Sequence, residues 1–246
     1  MSETDTARRR ARFRVHRRKA GDTAARYDVF EVLVGPWSTV LDGLVAIRTK
    51  QDPTLTLRHA CFHAECGTCA MRVNGQEGLA CVTPVGDADE VTVEPLANLP
   101  LVSDLVVDMS AFYERFDIAA RPLVRGSETP AEPVLPEGVD RYTRFEDCIE
   151  CGICVSACPI AGSDPHYLGP AALAAAWRVV EEPRGGDVER ILRITDDAHG
   201  SWRCHVAYEC SEACPSGVDP ARAIMRLRRA ATAKRFSRIL GGGGGR

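Results

Sequence analysis

Alternating apolar and polar residues characterise the first hundred positions of the chain. Residues 12–17, "RFRVHR", and the later run "YDVFEVLV" have the two-residue period of half-buried strands, and a short basic turn between them predicts a hairpin. The segment "CAMRVNGQEGLAC" places Asn74-Gly75 between two apolar runs, which predicts a second hairpin, and "EVTVEPL" (90–96) predicts a further strand. Between them, "STVLDGLVAIRTKQ" (38–51) has apolar residues at helical spacing. The pattern indicates a small α+β domain.

The pattern changes from two-residue to helical periodicity near residue 140. Three segments predict helices, "GPAALAAAWRVVEE", "GDVERILRITDDA" and "DPARAIMRLRRAATAKRFSRIL", and Asp219-Pro220 is a good start for the last one. Residues 121–138 contain four prolines and few large apolar groups, which is typical of a linker. We therefore expect an α+β domain over 1–115, a linker over 116–139, an all-helical domain over 140–240 and a disordered tail over 241–246.

Composition and charge add limits on location. The 246 residues are 45% hydrophobic and 26% charged, as in ordinary soluble domains. No run of about 18 apolar residues predicts a membrane span, and no apolar segment follows the N-terminal arginines to make them an export signal. Residues 1–20 carry a net charge of +6 and residues 221–246 of +8, so the total of −3 leaves −17 for the middle. Basic ends fit anionic headgroups or an acidic partner, and they equally fit solvated termini.

Eleven cysteines are the outstanding feature of the composition. The number is odd and no secretory signal is present, so the chain is expected to bind metal rather than to form disulfides. Cys61, Cys66 and Cys69 have the C-x4-C-x2-C spacing of plant-type [2Fe–2S] ferredoxins, and Cys81 supplies the fourth thiolate. Gly67 lets backbone N–H groups approach the sulfurs. A zinc site fits the first spacing poorly, and a Rieske centre would need a second histidine besides His63.

Two further cysteine runs lie in the helical region. The run "CIECGICVSACP" (148–159) is the complete bacterial C-x2-C-x2-C-x3-C-P pattern, and "CHVAYECSEACP" (204–215) matches it except that Ala207 replaces the second cysteine. In paired runs of this type the fourth cysteine ligates the other cluster. This exchange gives a four-thiolate [4Fe–4S] site and a three-thiolate site, which suits a [3Fe–4S] cluster. The predicted ligands are Cys148, Cys151, Cys154 and Cys214 for the former, and Cys158, Cys204 and Cys210 for the latter.

These motifs, together with "VEPLANLPLVSDLVVDM", "LGPAALAAAWR" and "SWRCHVAYECSEACPSGVDPARAI", resemble the iron–sulfur subunit of succinate dehydrogenase and fumarate reductase over nearly the whole chain. The resemblance implies a β-grasp [2Fe–2S] ferredoxin domain followed by an all-helical two-cluster ferredoxin domain. It also implies electron transfer between the FAD of a flavoprotein subunit and a quinone at membrane-anchor subunits, through the [2Fe–2S], [4Fe–4S] and [3Fe–4S] clusters in that order. Such a subunit is peripheral on the cytoplasmic face of the cell membrane and carries no flavin itself.

The same resemblance points to quinone-binding residues beside the third cluster. Pro159 and His205 match the family's pattern there, and His205 is equally suited to donate to cluster sulfur or backbone. No tryptophan follows Pro159 in "IAGSDPHYLGP", which favours menaquinone or a fumarate-reductase-like member over ubiquinone. Two alternatives stay open. One is the iron–sulfur subunit of a thiol:fumarate, glycolate or heterodisulfide reductase. The other is a zinc-stabilised module that binds nucleic acid through its basic ends. The leading prediction includes no nucleic-acid partner.

Overall fold

The chain, analysed as a computed structural model, is described over residues 8–19, 21–120, 147–182 and 187–241. These residues form two compact units. The first unit comprises the described residues within Met1–Met109 and Ile149–Ala157. The second unit comprises the described residues within Ser110–Cys148 and Cys158–Arg246. Each unit has its own buried core and is described by itself.

A five-stranded mixed sheet is the framework of the first unit. Strand β1 runs antiparallel to β2 and parallel to β5, while β3 pairs antiparallel with both β4 and β5, in the order β2-β1-β5-β3-β4. A short two-stranded sheet, β6-β7, accompanies it. The expected α+β class is confirmed, and the mixed sheet is that of a β-grasp domain. The strands are β1 (Arg9–Arg17), β2 (Arg26–Val34), β3 (Ala70–Val73), β4 (Gln76–Leu79), β5 (Glu90–Glu94), β6 (Leu101–Ser103) and β7 (Val106–Val107).

The predicted hairpin at Asn74-Gly75 is the turn between β3 and β4. Both residues have positive φ, +51° and +81°, as a two-residue type I′ turn requires. The Asn74 side chain also accepts a hydrogen bond of 2.8 Å from the Thr92 backbone N–H on β5. The turn is therefore held by the neighbouring strand as well as by its own backbone.

One helix, α1 (Val40–Lys50), lies within the predicted segment 38–51. It starts with a capping box in which Thr39 and Asp42 bond each other's backbone N–H groups. Gly43 faces the core so closely that a Cβ there would lie 2.2 Å from the Phe13 ring. The missing side chain thus lets α1 approach the sheet.

Helices make up the second unit, as the periodicity after residue 140 predicted. Helix α4 lies at its centre, and its many small side chains, including buried Ala171, Ala172, Ala174, Ala175 and Ala176, let the other helices approach closely. Pro220 begins the last helix at the position its fixed φ favours. The helices of this unit are α2 (Ser110–Ala120), α4 (Pro170–Glu181), α5 (Val188–Thr195), α6 (Glu209–Glu212) and α7 (Pro220–Gly241), whereas α3 (Ile153–Ser156) belongs to the first unit.

The division between the units differs from the domain limits expected from the sequence. The expected boundary at residue 115 falls inside α2, because Phe112, Phe116 and Ala119 give this segment a helical apolar face. Contacts of α2 with α4 and α5 place it in the second unit. The rest of the expected linker, residues 121–139, and the expected tail beyond 241 lie outside the described residues.

Much of the basic charge near both ends is neutralised within the units. Arg17, 2% exposed, is paired with Asp28, Asp52 and Asp104. On α7, Arg226 pairs with Glu181, Lys234 with Glu189, and Arg235 with Asp196. The basic ends are therefore engaged in internal ion pairs to a degree that the net charges do not reveal. Within the described parts of the chain, no helix combines the length and apolarity needed to cross a bilayer.

Candidate iron–sulfur cluster sites

All eleven cysteines are free thiols in the structure. The first group, Cys61, Cys66, Cys69 and Cys81, lies in the first unit on the loop before β3 and just after β4. The His63 backbone N–H donates to Cys61 Sγ at 3.4 Å, and that of Ala64 donates to Cys81 Sγ at the same distance. The loop thus directs N–H groups to thiols at opposite ends of the motif, which is the environment that thiolates of a cluster need.

The pKa values of this group show that its thiols interact. The hydrogen bond from the His63 N–H is the main cause that lowers the pKa of Cys61 to about 7, with further contributions from Cys66. Burial is the main cause that raises the pKa of Cys69 to about 12, and the neighbouring Cys81 and Cys66 raise it too. Each thiol in the set therefore has another within interaction range. The structure brings together the four residues that the sequence assigned to the [2Fe–2S] cluster, and their donor set fits that cluster.

His63 has a role other than that of a Rieske ligand. Its Nδ1 lies 2.5 Å from the Cys61 carbonyl oxygen, so Nδ1 carries the proton and donates. The ring is exposed at the surface of the loop. The histidine therefore braces the backbone beside Cys61, in keeping with the ordinary loop role expected from the sequence.

Gly67 brings the first cysteine loop against the second cysteine run. Its φ is +67°, and a Cβ at this position would lie 2.8 Å from Cys151 Cβ and 2.9 Å from the Ile149 carbonyl oxygen. Only a glycine leaves room for this approach. All three residues belong to the first unit. The backbone between Cys66 and Cys69 is thus in van der Waals contact with a cysteine of the bacterial-type run.

The second run is shared between the units. Cys151 and Cys154, with α3, belong to the first unit, where the Asn98 side chain donates to the carbonyls of Val155 and Ser156 at 3.0 and 2.9 Å. Cys148 belongs to the second unit and packs against the alanines of α4 and α7. Cys214 lies in the turn between α6 and α7 of that unit. The assignment of these four cysteines to one [4Fe–4S] cluster continues to depend on the sequence pattern.

The third group lies in the core of the second unit. Burial raises the pKa of Cys158, and Cys204 raises it further. Burial also raises the pKa of Cys210 to about 12, with Cys158 and Cys204 as the next causes. The Val206 backbone N–H donates to Cys204 Sγ at 3.3 Å. The three thiols predicted to hold one cluster therefore lie within electrostatic range of one another.

The position that lacks a cysteine has a distinct backbone. Ala207 is exposed and stands between Val206 and Tyr208, which both have positive φ, +61° and +66°. Phe62, Ala64 and Glu150 have positive φ in the other two motifs. Non-glycine residues rarely adopt this conformation, and alternating handedness turns successive N–H groups toward one point. The three motifs thus share a backbone shape that suits anionic sulfur.

Two residues near the third group had not been identified from the sequence. Arg228 on α7 donates from Nε to the Ser201 carbonyl at 2.8 Å and from Nη2 to the Cys204 carbonyl, and it lies over the Trp202 ring. Tyr167 is 1% exposed, and among the residues that the structure describes its hydroxyl has no hydrogen-bond partner of normal geometry. A tyrosine and an arginine at these positions give no motif signal, because both act through contacts made only in the fold.

Pro159 and His205, the residues expected to contact quinone, are both exposed. Each directly follows a cysteine of the third group, Cys158 and Cys204 respectively. Their exposure beside the buried Cys158 and the partly buried Cys204 is compatible with a contact to a molecule outside the chain. Their contact with quinone stays a prediction.

No three His, Cys, Asp or Glu side chains in the described part of the chain are arranged to hold a single metal ion. A cluster distributes its thiolates over several bridged irons, so its ligands stand farther apart than those of one ion.

Two families match the two halves of the chain. The 2Fe-2S iron-sulfur cluster binding domain family matches residues 12–114, and the 4Fe-4S dicluster domain family matches residues 144–218. The fold and the cysteine groups therefore define an electron-transferring iron–sulfur protein with [2Fe–2S] and [4Fe–4S] clusters. The fumarate reductase iron-sulfur subunit of Mycobacterium tuberculosis is 38% identical over 90% of this chain and 94% of its own length.

Two other proteins agree. The fumarate reductase iron-sulfur subunit of an Escherichia coli O6:H1 strain is 39% identical over 83% of this chain and 86% of its own length. Among solved structures, a chain of the Mycobacterium smegmatis Sdh1 complex in the apo form has a TM-score of 0.84 and 26% identity, and the match covers 94% of this chain and 98% of that one. The chain belongs to the family of succinate dehydrogenase and fumarate reductase iron-sulfur subunits.

The family settles several expectations from the sequence. The chain is an electron-relay subunit of a multi-subunit oxidoreductase, as predicted. Both matched domain families bind iron–sulfur clusters, so the zinc alternative is wrong. The two curated relatives reported above are fumarate reductase iron-sulfur subunits, in agreement with the leading prediction.

Proposed function

We propose that this chain relays electrons between the FAD of a flavoprotein subunit and a quinone at membrane-anchor subunits. The clusters act in the order [2Fe–2S], [4Fe–4S], [3Fe–4S]. The observation that carries the proposal is the group formed by Cys158, Cys204 and Cys210, three mutually interacting thiols with an alanine at the fourth ligand position. A [3Fe–4S] cluster needs three thiolates and suits such a set, whereas a [4Fe–4S] cluster would need a fourth.

The remaining ligands follow from the motif spacing. Cys61, Cys66, Cys69 and Cys81 hold the [2Fe–2S] cluster, and Cys148, Cys151, Cys154 and Cys214 hold the [4Fe–4S] cluster. The contact of the Gly67 backbone with Cys151 supports electron transfer between the first two clusters, because it brings their ligand loops to van der Waals distance.

Quinone binding is proposed at the exposed residues next to the third cluster. Pro159 and His205 contact the quinone, and His205 donates a hydrogen bond or a proton to its reduced oxygen. The lack of tryptophan over residues 160–170 and the fumarate reductase names of similar proteins support menaquinone. The chain lies peripherally on the cytoplasmic face of the membrane as part of this complex.

The test is purification of the native complex from membranes, followed by electron paramagnetic resonance. We expect a flavoprotein partner, three clusters, and a [3Fe–4S] signal in the oxidised sample. A second [4Fe–4S] centre in place of the [3Fe–4S] cluster would contradict the ligand assignment.

A substitution at the vacant ligand position makes the test sharper. Ala207→Cys restores the C-x2-C-x2-C spacing, so the third cluster should convert to [4Fe–4S] with a lower potential. Glu212→Cys, which adds an exposed thiol to the same region at a non-ligand spacing, serves as the control and should leave the [3Fe–4S] signal unchanged. An unconverted cluster in Ala207→Cys would mean that residue 207 does not face the vacant corner.

A further inference from the structure

Tyr167 has a buried hydroxyl that no described residue satisfies with a hydrogen bond of normal geometry. The side chain is 1% exposed. A buried hydroxyl almost always has a partner, because burial removes the water that would otherwise bond it. The orphan hydroxyl therefore indicates a missing acceptor.

The surroundings of Tyr167 identify the kind of acceptor. The ring packs in the same core cluster as Cys158 and Cys204. Burial is the main cause that raises the pKa of the phenol, followed by Cys204, Cys158 and Cys210, and Cys204 also contributes through a side-chain hydrogen-bond interaction. The polar surroundings of the hydroxyl are thus the three thiols of the third group, and sulfur is the acceptor that the site provides.

The backbone at Tyr167 is held by hydrogen bonds on both sides. Its backbone N–H donates to the Asp164 carbonyl at 3.2 Å, and the next residue donates to the His199 carbonyl at 3.0 Å. Asp164 is itself held by the His199 ring and by Arg203, each at 2.9 Å. The turn that carries Tyr167 is therefore tied to the segment leading into Cys204, which keeps the Tyr167 backbone beside that cysteine.

We propose that the Tyr167 hydroxyl donates a hydrogen bond to a sulfur of the cluster held by Cys158, Cys204 and Cys210, and thereby raises the reduction potential of that cluster. Reduction adds negative charge to the sulfurs, and a donor stabilises the charged form more than the uncharged one. Tyr167 is then a residue that sets the driving force toward quinone. The inference rests on the proposed function, because it needs the third cluster.

The experiment is a redox titration of the native complex, followed by electron paramagnetic resonance, with Tyr167→Phe. The variant keeps the ring and removes only the donor. We expect the equilibrium constant for reduction of the [3Fe–4S] cluster to fall about tenfold, which for one electron is about 59 mV toward negative potential. The potential of the [2Fe–2S] cluster should not move. Tyr113→Phe, which removes an exposed hydroxyl in the same unit, is the matched control and should shift neither potential.

A second substitution covers the case in which Tyr167→Phe fails to assemble. Fluorotyrosine introduced at position 167 retains the ring and makes the phenol a stronger donor, so the potential should rise. An unchanged [3Fe–4S] potential in either variant overturns the inference while leaving the proposed function intact. Absence of any [3Fe–4S] signal from the wild-type complex overturns the proposed function and this inference together.

Discussion

Gly67→Ala tests the contact between the first cysteine loop and the second cysteine run. Two costs add at this position. A non-glycine residue at a φ of +67° costs about 1–2 kcal/mol. The new Cβ would also lie 2.8 Å from Cys151 Cβ and 2.9 Å from the Ile149 carbonyl oxygen. Relieving such an overlap costs about 1–3 kcal/mol. The total is about 2–5 kcal/mol.

Gly75→Ala is the matched control. Gly75 has a φ of +81°, but nothing lies within 4 Å of a Cβ built there, so only the backbone cost of about 1–2 kcal/mol applies. The difference between the two variants isolates the contact of the loop with Cys151.

The assay is thermal unfolding of the purified complex, followed by the visible absorbance of the clusters. One kcal/mol corresponds to about 4 °C for a domain of about 100 residues. We expect a decrease of about 8–20 °C for Gly67→Ala and about 4–8 °C for Gly75→Ala. Electron transfer from the [2Fe–2S] to the [4Fe–4S] cluster should also slow in Gly67→Ala alone, because the loop must move away from Cys151. Equal decreases in the two variants, with equal transfer rates, would refute the close contact.

Three further predictions concern other parts of the molecule. In apoprotein, the rate of Cys61 alkylation, followed by mass spectrometry, should be half-maximal near pH 7 and fall at lower pH, because the pKa of Cys61 is about 7 and only the thiolate reacts. Cys69, with a pKa of about 12, should resist alkylation. Equal alkylation rates for the two cysteines would contradict the loop geometry. Gly43→Ala should destabilise the first unit by about 1–3 kcal/mol in thermal unfolding, because the new Cβ would overlap the Phe13 ring. The absorbance spectra of the clusters should be unchanged in this variant. Arg228→Gln should remove one donor from the Ser201 carbonyl, which keeps the Cys204 backbone N–H at 3.4 Å, and should remove the Arg228 donor from the Cys204 carbonyl. We expect a cost of about 1–3 kcal/mol and faster loss of the proposed third cluster on heating. Exposed Arg222→Gln on the same helix should cause neither effect, and equal rates of loss in the two variants would count against this role of Arg228.

The elements that the sequence predicts well are those with a local cause. Asn74-Gly75 adopts the turn because both residues tolerate positive φ, and Pro220 starts α7 because its φ is already helical. Cysteine spacing identifies cluster motifs for the same reason, since ligands on one loop must meet one small group of atoms. These signals need no knowledge of the rest of the chain.

The features that the sequence does not predict depend on contacts between distant segments. In the sequence, Tyr167 is an ordinary aromatic residue. Only the fold shows that its hydroxyl is buried beside the thiols of Cys158, Cys204 and Cys210. The expected boundary at residue 115 falls inside helix α2, because the contacts that keep the helix intact lie with distant helices of the second unit. Likewise, residues 149–157 follow Cys148 in sequence but pack with the first unit.

The hairpin of β3 and β4 has a consequence for how the [2Fe–2S] motif can vary. Cys69 and Cys81 are separated by eleven residues, yet Ala70 pairs with Leu79 and the Ala80 N–H donates to the Cys69 carbonyl at 3.1 Å. The ladder, and not the length of the intervening chain, therefore sets the distance between these two thiols. Residues added at the turn would lengthen the hairpin without moving Cys81, whereas one residue added inside β4 would shift the register and turn the following side chains to the opposite face. The segment between Cys69 and Cys81 can therefore lengthen by extension of the hairpin at its turn, whereas the pairing register of β3 and β4 must stay the same.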